Sequence, residues 1–178
     1  VTVADEDVAG PDFGNVCLGA GNGRTLGFWS NKNGQALFGT DDLTLMQVLN
    51  LRSASGSHFN PSSYSQFRSW LLNATATNMA YMLSAQLAAM ALNVNNGLVS
   101  GSSLVYAPGA VGANGAGFIS VSALITEANT ELGLHGLVLS GSAFRAYQEA
   151  LKNALDRGNN NLNFVQFGPE ACPFDTPY

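Results

Sequence analysis

Charge is what this chain has least of. Asp, Glu, Lys and Arg make up only 11% of its 178 residues, against roughly 25% in an ordinary soluble protein. Hydrophobic residues reach 46%, so the chain is no disordered segment, which would need low hydrophobicity and high charge. Seven Lys and Arg against twelve Asp and Glu leave a formal −5, and the only lysines are Lys32 and Lys152. Without a basic stripe to neutralise phosphates, no nucleic-acid partner is expected. The most apolar run, Met79 to Leu92, is broken by Ser84 and Gln86 and falls short of the ~20 residues a bilayer requires. No membrane span is expected. Gly, Ala, Ser, Thr and Asn stand where the charges are missing, and such a neutral surface associates readily with copies of itself.

Cysteine and histidine are scarce too, with two of each. Cys17 and Cys172 have three readings: buried thiols, half a metal site, or one disulfide. His58 and His135 offer no ligand spacing, so no metal is expected. There is no CxxC pair and no activating basic neighbour, which argues against redox chemistry. The favoured reading is a Cys17–Cys172 disulfide, which constrains the unfolded chain by up to roughly 4–5 kcal/mol on the chain-entropy model. The chain starts at Val1 with no initiator methionine and no charged-then-apolar leader. This suggests a product from which a signal peptide was removed, located outside the cell or on its surface.

Residues 1–24 read as an extended acidic, Gly-containing arm, with a flexible loop over Gly19 to Gly23. Residues 25–178 read as one helical domain with a strand-like tail. Leu26 to Phe38 is a short Gly-broken helix or turn. Thr40 caps a helix through Leu49, with Asp41 and Asp42 in its first turn. Asn60-Pro61 starts another, carrying Tyr64, Phe67, Trp70 and Leu71. Met79 to Val94 is apolar all round its axis and must be surrounded by other helices; Asn95-Asn96-Gly97 ends it. Residues 98–118 form a long Gly/Ser-rich loop with one strand-like piece, Leu104-Val105-Tyr106, expected to be exposed and variable. Ser120 caps a helix closed by Gly133. The last helix carries Phe144, Tyr147, Leu151 and Leu155, an Arg145–Glu149 pair and a Gly158 stop. The expectation is a mainly α fold of about five helices packed around Met79–Val94, with strand-capable segments at both ends.

No catalytic constellation emerges. Both histidines sit in loop-like stretches with no GxSxG elbow, and read as ordinary surface residues. Gly19-Ala20-Gly21-Asn22-Gly23-Arg24-Thr25 lacks the first glycine and the lysine of a phosphate loop and reads as a hinge. Glu127, Glu131 and Glu149 fall on the solvent faces of helices, which disfavours a glycosidase pair. Asp5, Glu6, Asp7 and Asp12 could gather calcium but lack the spacing of a calcium loop, so a solvated acidic arm is favoured. Asn73-Ala74-Thr75 matches a glycan acceptor at a helix end, which is weak evidence. No cofactor and no enzymatic activity are expected.

Thr25-Leu26-Gly27-Phe28-Trp29-Ser30-Asn31-Lys32, shortly after Cys17, resembles a motif of bacterial secreted and surface proteins of unknown function. In them a cysteine precedes a T-x-G-(Y/F)-W-K-N-H-like sequence, followed by a Leu-rich helix, an Ala-rich helix and two more helices. Leu87 to Gly97, Ala123 to Gly133 and Ala143 to Asn153 match those later parts, so the resemblance covers most of residues 17–165. Thr25, Gly27, Phe28, Trp29 and Asn31 carry the motif. Ser30 and Lys32 stand where that family has Lys and His, so no ligand role of the histidine transfers. The family brings no established activity. Phe28 and Trp29 read as core anchors, and Gly27 as the site of a close backbone approach.

Two functions are then expected in competition. One is a non-enzymatic extracellular structural subunit, self-assembling into a filament, sheath or matrix. Here an arm with Val1, Val3, Val8 and Phe13 pairs with a neighbour's Phe164, Val165 and Phe167. Pairing of the two ends within one chain is an equal alternative. The other is a carbohydrate- or surface-binding module, in which Tyr64, Trp70, Tyr106, Tyr147 and the Asn clusters meet a polysaccharide.

Overall fold

The computed structural model describes residues 16–166. The arm residues Val1, Val3, Val8 and Phe13, together with Phe167 and Cys172, lie outside them, and so does the Cys17–Cys172 pairing. Among the described residues seven helices and one sheet follow in the order β1 (Leu18–Gly19), α1 (Leu26–Trp29), α2 (Lys32–Leu37), α3 (Thr40–Val48), α4 (Tyr64–Leu72), α5 (Met79–Asn95), β2 (Leu104–Tyr106), β3 (Phe118–Ser120), α6 (Val121–Leu134), α7 (Arg145–Asn159) and β4 (Phe164–Val165). No helix among them is long and apolar enough to cross a membrane.

Helix α5 is the axis. Its sequence is apolar on every side, and fourteen of its seventeen residues are buried. Helices α7, α6, α3 and α1 pack against it. At the start of α5, Arg145 of α7 donates to Ala76 O (2.9 Å), and at its end Asn93 meets Asn159 of α7 (3.0 Å). The two helices therefore run side by side in one direction. Helix α6 runs the opposite way: its first residue bonds to Ser103 beyond the end of α5, while Asn78 at the start of α5 donates to Gly136 (3.1 Å). At ~1.5 Å per residue, α5 separates the two poles of the body by about 25 Å.

Several boundaries differ from the sequence expectation, each for a local hydrogen-bonding reason. The segment 26–38 is two helices, because the Asn31 side chain accepts from the amides of Asn33 and Gly34 and starts a second one. This raises the count from the expected five to seven. Gly34 lets α2 cross α1: a Cβ there would collide with the Phe28 carbonyl and the Trp29 Cα. Helix α3 is capped at Gly39, not Thr40, because the Asp42 carboxylate reaches back to the Gly39 amide (2.9 Å). Helix α4 starts after Ser63, which accepts from Gln66 N, two residues past the Asn60-Pro61 signal. Gly97 ends α5 at φ +67, as expected, and Ser120 caps α6. Gly133 does not close α6, which runs on to Leu134.

In the long Gly/Ser-rich loop the strand-like piece Leu104-Val105-Tyr106 is β2, as expected, but the loop is not exposed throughout. It folds as a hairpin in which β2 and β3 pair Val105 with Ile119, and both side chains are buried. Asn114 stabilises the turn by accepting from Ala116 and Phe118 (3.0 Å each), and Gly117 takes φ +83. Strand β4 completes an antiparallel sheet of order β1-β4-β2-β3. Phe164 thus lies between Gly19 on one side and Val105 on the other.

The Gly19–Gly23 stretch is not a hinge either. Asn161 accepts from the amides of Gly21 (3.2 Å) and Gly23 (2.7 Å) and donates to the Gly23 carbonyl (3.0 Å). A side chain at Gly21 would collide with the Phe164 ring. Residues 16–24, read as part of the arm, therefore pack on the body through β4 and the end of α7.

Candidate functional site

The motif segment is built around one buried amide. Asn93, fully buried in α5, accepts at Oδ1 from the Arg24 amide (3.0 Å) and from Trp29 Nε1 (3.1 Å). Its Nδ2 donates to Arg24 O and to Asn159 Oδ1, both at 3.0 Å. Asn159 continues the chain by donating to Gln86 O and Gln86 Oε1, and Gln86 donates to Asp156. A buried amide left without partners costs about 1–3 kcal/mol per group, so this network locks the motif to α5 and α7. The sequence reading missed Asn93. The available signal was the presence of Ser84, Gln86 and Asn93 in a helix otherwise apolar all round, since buried polar groups require partners.

The motif residues now have roles. Thr25 caps α1 by accepting from Phe28 N (3.3 Å). Trp29 is fully buried, as expected of an anchor. Phe28 is half-buried against it in a T-shaped contact at 5.3 Å, with the Arg24 guanidinium 5.7 Å from its ring centroid. Gly27 is exposed and meets no backbone, so the close approach assigned to it belongs to Gly34.

Beside the motif lies a cleft of about 380 Å³ lined by Ser30, Asn31, Lys32, Gln35, Tyr64, Ser65 and Arg68. Helix α4 supplies one wall. Its Tyr64 hydroxyl lies 3.1 Å from the carbonyl oxygens of Trp29 and Asn31 and donates to them, and Arg68 Nε donates to Ser30 O (2.7 Å). Burial holds the Tyr64 phenol above its usual range, with the Arg68 charge acting in the opposite direction. No carboxylate and no histidine lines the cleft. Ser30 Oγ donates to Gly27 O (3.2 Å) and has no base beside it. The arrangement can hold anionic and hydroxyl-bearing groups; it contains no general acid–base pair.

A second hollow of about 260 Å³ lies where the hairpin crosses α7, lined by Tyr106, Pro108, Gly109, Ala150, Asn153, Ala154 and Arg157. Its lining includes three alanines and a glycine, and Tyr106 is 37% exposed. Glu127 holds this corner in place. It accepts from Val111 N (2.6 Å), Gly112 N (2.9 Å) and the Tyr147 hydroxyl (2.6 Å). The Tyr147 phenol is pushed well above its usual range by burial, and the Glu127 hydrogen bond and charge add to that. Glu127 is therefore not on a free solvent face as expected, and neither is Glu131, which is buried and bonded to His135 Nδ1 (2.9 Å) and Gln148 (3.1 Å). Glu149 is exposed. It forms no pair with Arg145, whose guanidinium serves the Ala76 and Val138 carbonyls instead.

The remaining candidates are dispersed. His58 is exposed, with its ring 3.1 Å from Leu49 O, and the half-buried His135 bonds to Glu131 instead. Among the described residues no three His, Cys, Asp or Glu gather as metal ligands. Of the aromatics expected to meet sugars, Trp70 is buried in a run of rings with Phe59, Phe67 and Tyr81. Tyr147 is half-buried, which leaves Tyr64 and Tyr106 at clefts. Of the expected assembly residues, Phe164 is buried and both its neighbours in the sheet come from its own chain. Val165 pairs with Leu18. A neighbour's arm therefore does not find Phe164 as a free strand edge.

No protein-family model matches the chain, and no curated protein or solved structure matches it.

Proposed function

We propose that this protein is a non-enzymatic structural subunit, located outside the cell, that assembles with copies of itself. The observation supporting this reading is an apolar cluster at one pole of the body. Across the end of α6 and the turn before α7, Leu134 is 70% exposed, Leu137 55%, Leu139 46% and Phe144 44%. Phe144, expected in the core, stacks on the His135 ring at 3.5 Å instead. Leucines concentrated on one short turn fit a surface that a partner covers. At the opposite pole β1 is an edge strand among the described residues, with Leu18 exposed at 37% and the preceding Val16 at 47%. Two different apolar faces at opposite poles suit a head-to-tail contact, which extends into a polymer when its rotation does not close a ring.

Sedimentation velocity and electron microscopy of the full chain test this. Concentration-dependent polymers that disappear in Leu134→Ser/Leu137→Ser/Phe144→Ser and on deletion of residues 1–13 support the reading. A chain that stays monomeric at every concentration overturns it.

Tyr106 favours a second reading, a module that binds polysaccharide. A half-open aromatic ring beside Asn153 and Arg157 suits a sugar ring and its hydroxyl or carboxylate groups. Retention of a monomer on polysaccharide resin, lost in Tyr106→Ala, would favour it.

A further inference from the structure

The charges of this chain are sorted by position. Residues 16–166 hold all seven Lys and Arg and six of the twelve acids: Asp41, Asp42, Glu127, Glu131, Glu149 and Asp156. The other six acids lie in residues 1–15 and 167–178, which contain no Lys or Arg. The described body therefore carries +1 and the two terminal segments −6.

Most of the body's acids are also engaged internally. Asp42 is buried and accepts from Gly39 N and from the side-chain amides of Asn95 and Asn96 (2.8 Å each). Glu127 holds the hairpin corner, Glu131 is buried with His135, and Asp156 takes Gln86, Asn160 and, at 3.8 Å, Lys152. The cations are freer. Among the described residues neither Lys32 nor Arg68 meets a carboxylate, and both line the motif cleft with Asn31, Gln35, Tyr64 and Ser65. In a chain with so few charges, two cations sharing one acid-free cleft mark a site for an anion.

We propose that the Lys32–Arg68 cleft receives the acidic segment Asp5-Glu6-Asp7 of a neighbouring copy. The inference rests on the self-assembly reading above and assigns it a polar contact in addition to the apolar poles. Charge complementarity selects the occupant, since three consecutive carboxylates meet two cations that have no carboxylate partner among the described residues, and a row of neutral donors. Length permits it. Asp7 lies nine residue steps before Val16, a span of up to about 30 Å when extended, which exceeds the ~25 Å length of α5. An arm rooted at one pole can thus reach the flank of the next body.

The test uses the full chain. Lys32 is exposed and makes no hydrogen bond or ion pair among the described residues, so Lys32→Glu should leave the thermal melt unchanged. The expected result is a roughly tenfold rise in the concentration needed for assembly at 50 mM NaCl, with little difference at 500 mM, where screening removes the contact. Asp5→Asn/Glu6→Gln/Asp7→Asn should produce the same rise, and adding Lys32→Glu to it should cost nothing further. Asp5→Lys/Glu6→Lys/Asp7→Lys should restore assembly of Lys32→Glu/Arg68→Glu. Zero-length carbodiimide coupling of mixed light and heavy-isotope chains should join Lys32 to Asp5, Glu6 or Asp7 between chains. Normal assembly of Lys32→Glu, or coupling within single chains only, overturns the docking while leaving self-assembly standing. Failure of the parent chain to assemble overturns both.

Discussion

The two poles of α5 use the same neutral residue supply in opposite ways. At its C-terminal end the amides are turned inward: Asn93 binds Asn159, Trp29 and the Arg24 backbone, and Asn161 binds the backbone of Gly21 and Gly23. At its N-terminal end Asn78 binds Gly136 and Val138, yet the turn it holds leaves Leu134, Leu137, Leu139 and Phe144 in solvent. One pole is closed internally by an amide network, buried at Trp29 and Asn159, with Val16 and Leu18 exposed outside it, and the other presents its leucines on a turn held by Asn78. A chain with few charges can keep its interior specific through amides while leaving its leucines for a partner. The number of polar or apolar residues in a stretch does not reveal which of these roles it has.

If the contrast holds, substitutions at the closed pole should cost folding stability, and those at the open pole should cost association alone. The largest expected effect is Trp29→Ala, which removes a fully buried ring and should destabilise by about 4–5 kcal/mol in urea denaturation. Asn93→Ala should follow at about 3 kcal/mol, because the Trp29 indole N–H and the Arg24 amide lose a buried acceptor. Tyr147→Phe should cost about 1 kcal/mol by removing the bond to Glu127.

It should also change the alkaline limb of the stability curve. The folded phenol of Tyr147 titrates above its unfolded value. Its contribution is therefore complete below about pH 10 and lost as pH rises further. Stability measured from pH 9 to 11 should fall more steeply in the parent than in Tyr147→Phe. The smallest effect on folding should come from Leu134→Ser/Leu137→Ser, within about 0.5 kcal/mol. The same variant should lose the concentration dependence of its sedimentation coefficient. A loss of several kcal/mol there would show that the open pole is part of the core and remove the contrast.

The helices were legible where the local pattern is strong. Met79–Asn95 shows in its all-round apolar composition, and the α6 start shows in the Ser120 cap. The hairpin was not, because Gly and Ser dominate residues 98–118 and only Val105 and Ile119 mark the buried face. Trp29 was legible as an anchor from its bulk and hydrophobicity. Its cleft was not, since Arg68 and Tyr64 lie more than thirty residues away along the chain.

Composition and periodicity by themselves determined a helical body around one buried helix, the Ser120 cap and Gly97 stop, and a surface poor in charge. These follow from interactions within a few residues, or from the simple need to cover an apolar face. Only the tertiary structure decided that Asn93 is a hub, that Glu127 and Glu131 are held inside, and that the leucines after α6 stay outside. The physical reason is that a polar group's free energy depends on whether its partners arrive with it as it is buried. Those partners come from segments distant in sequence, brought together only when α5, α6 and α7 have packed.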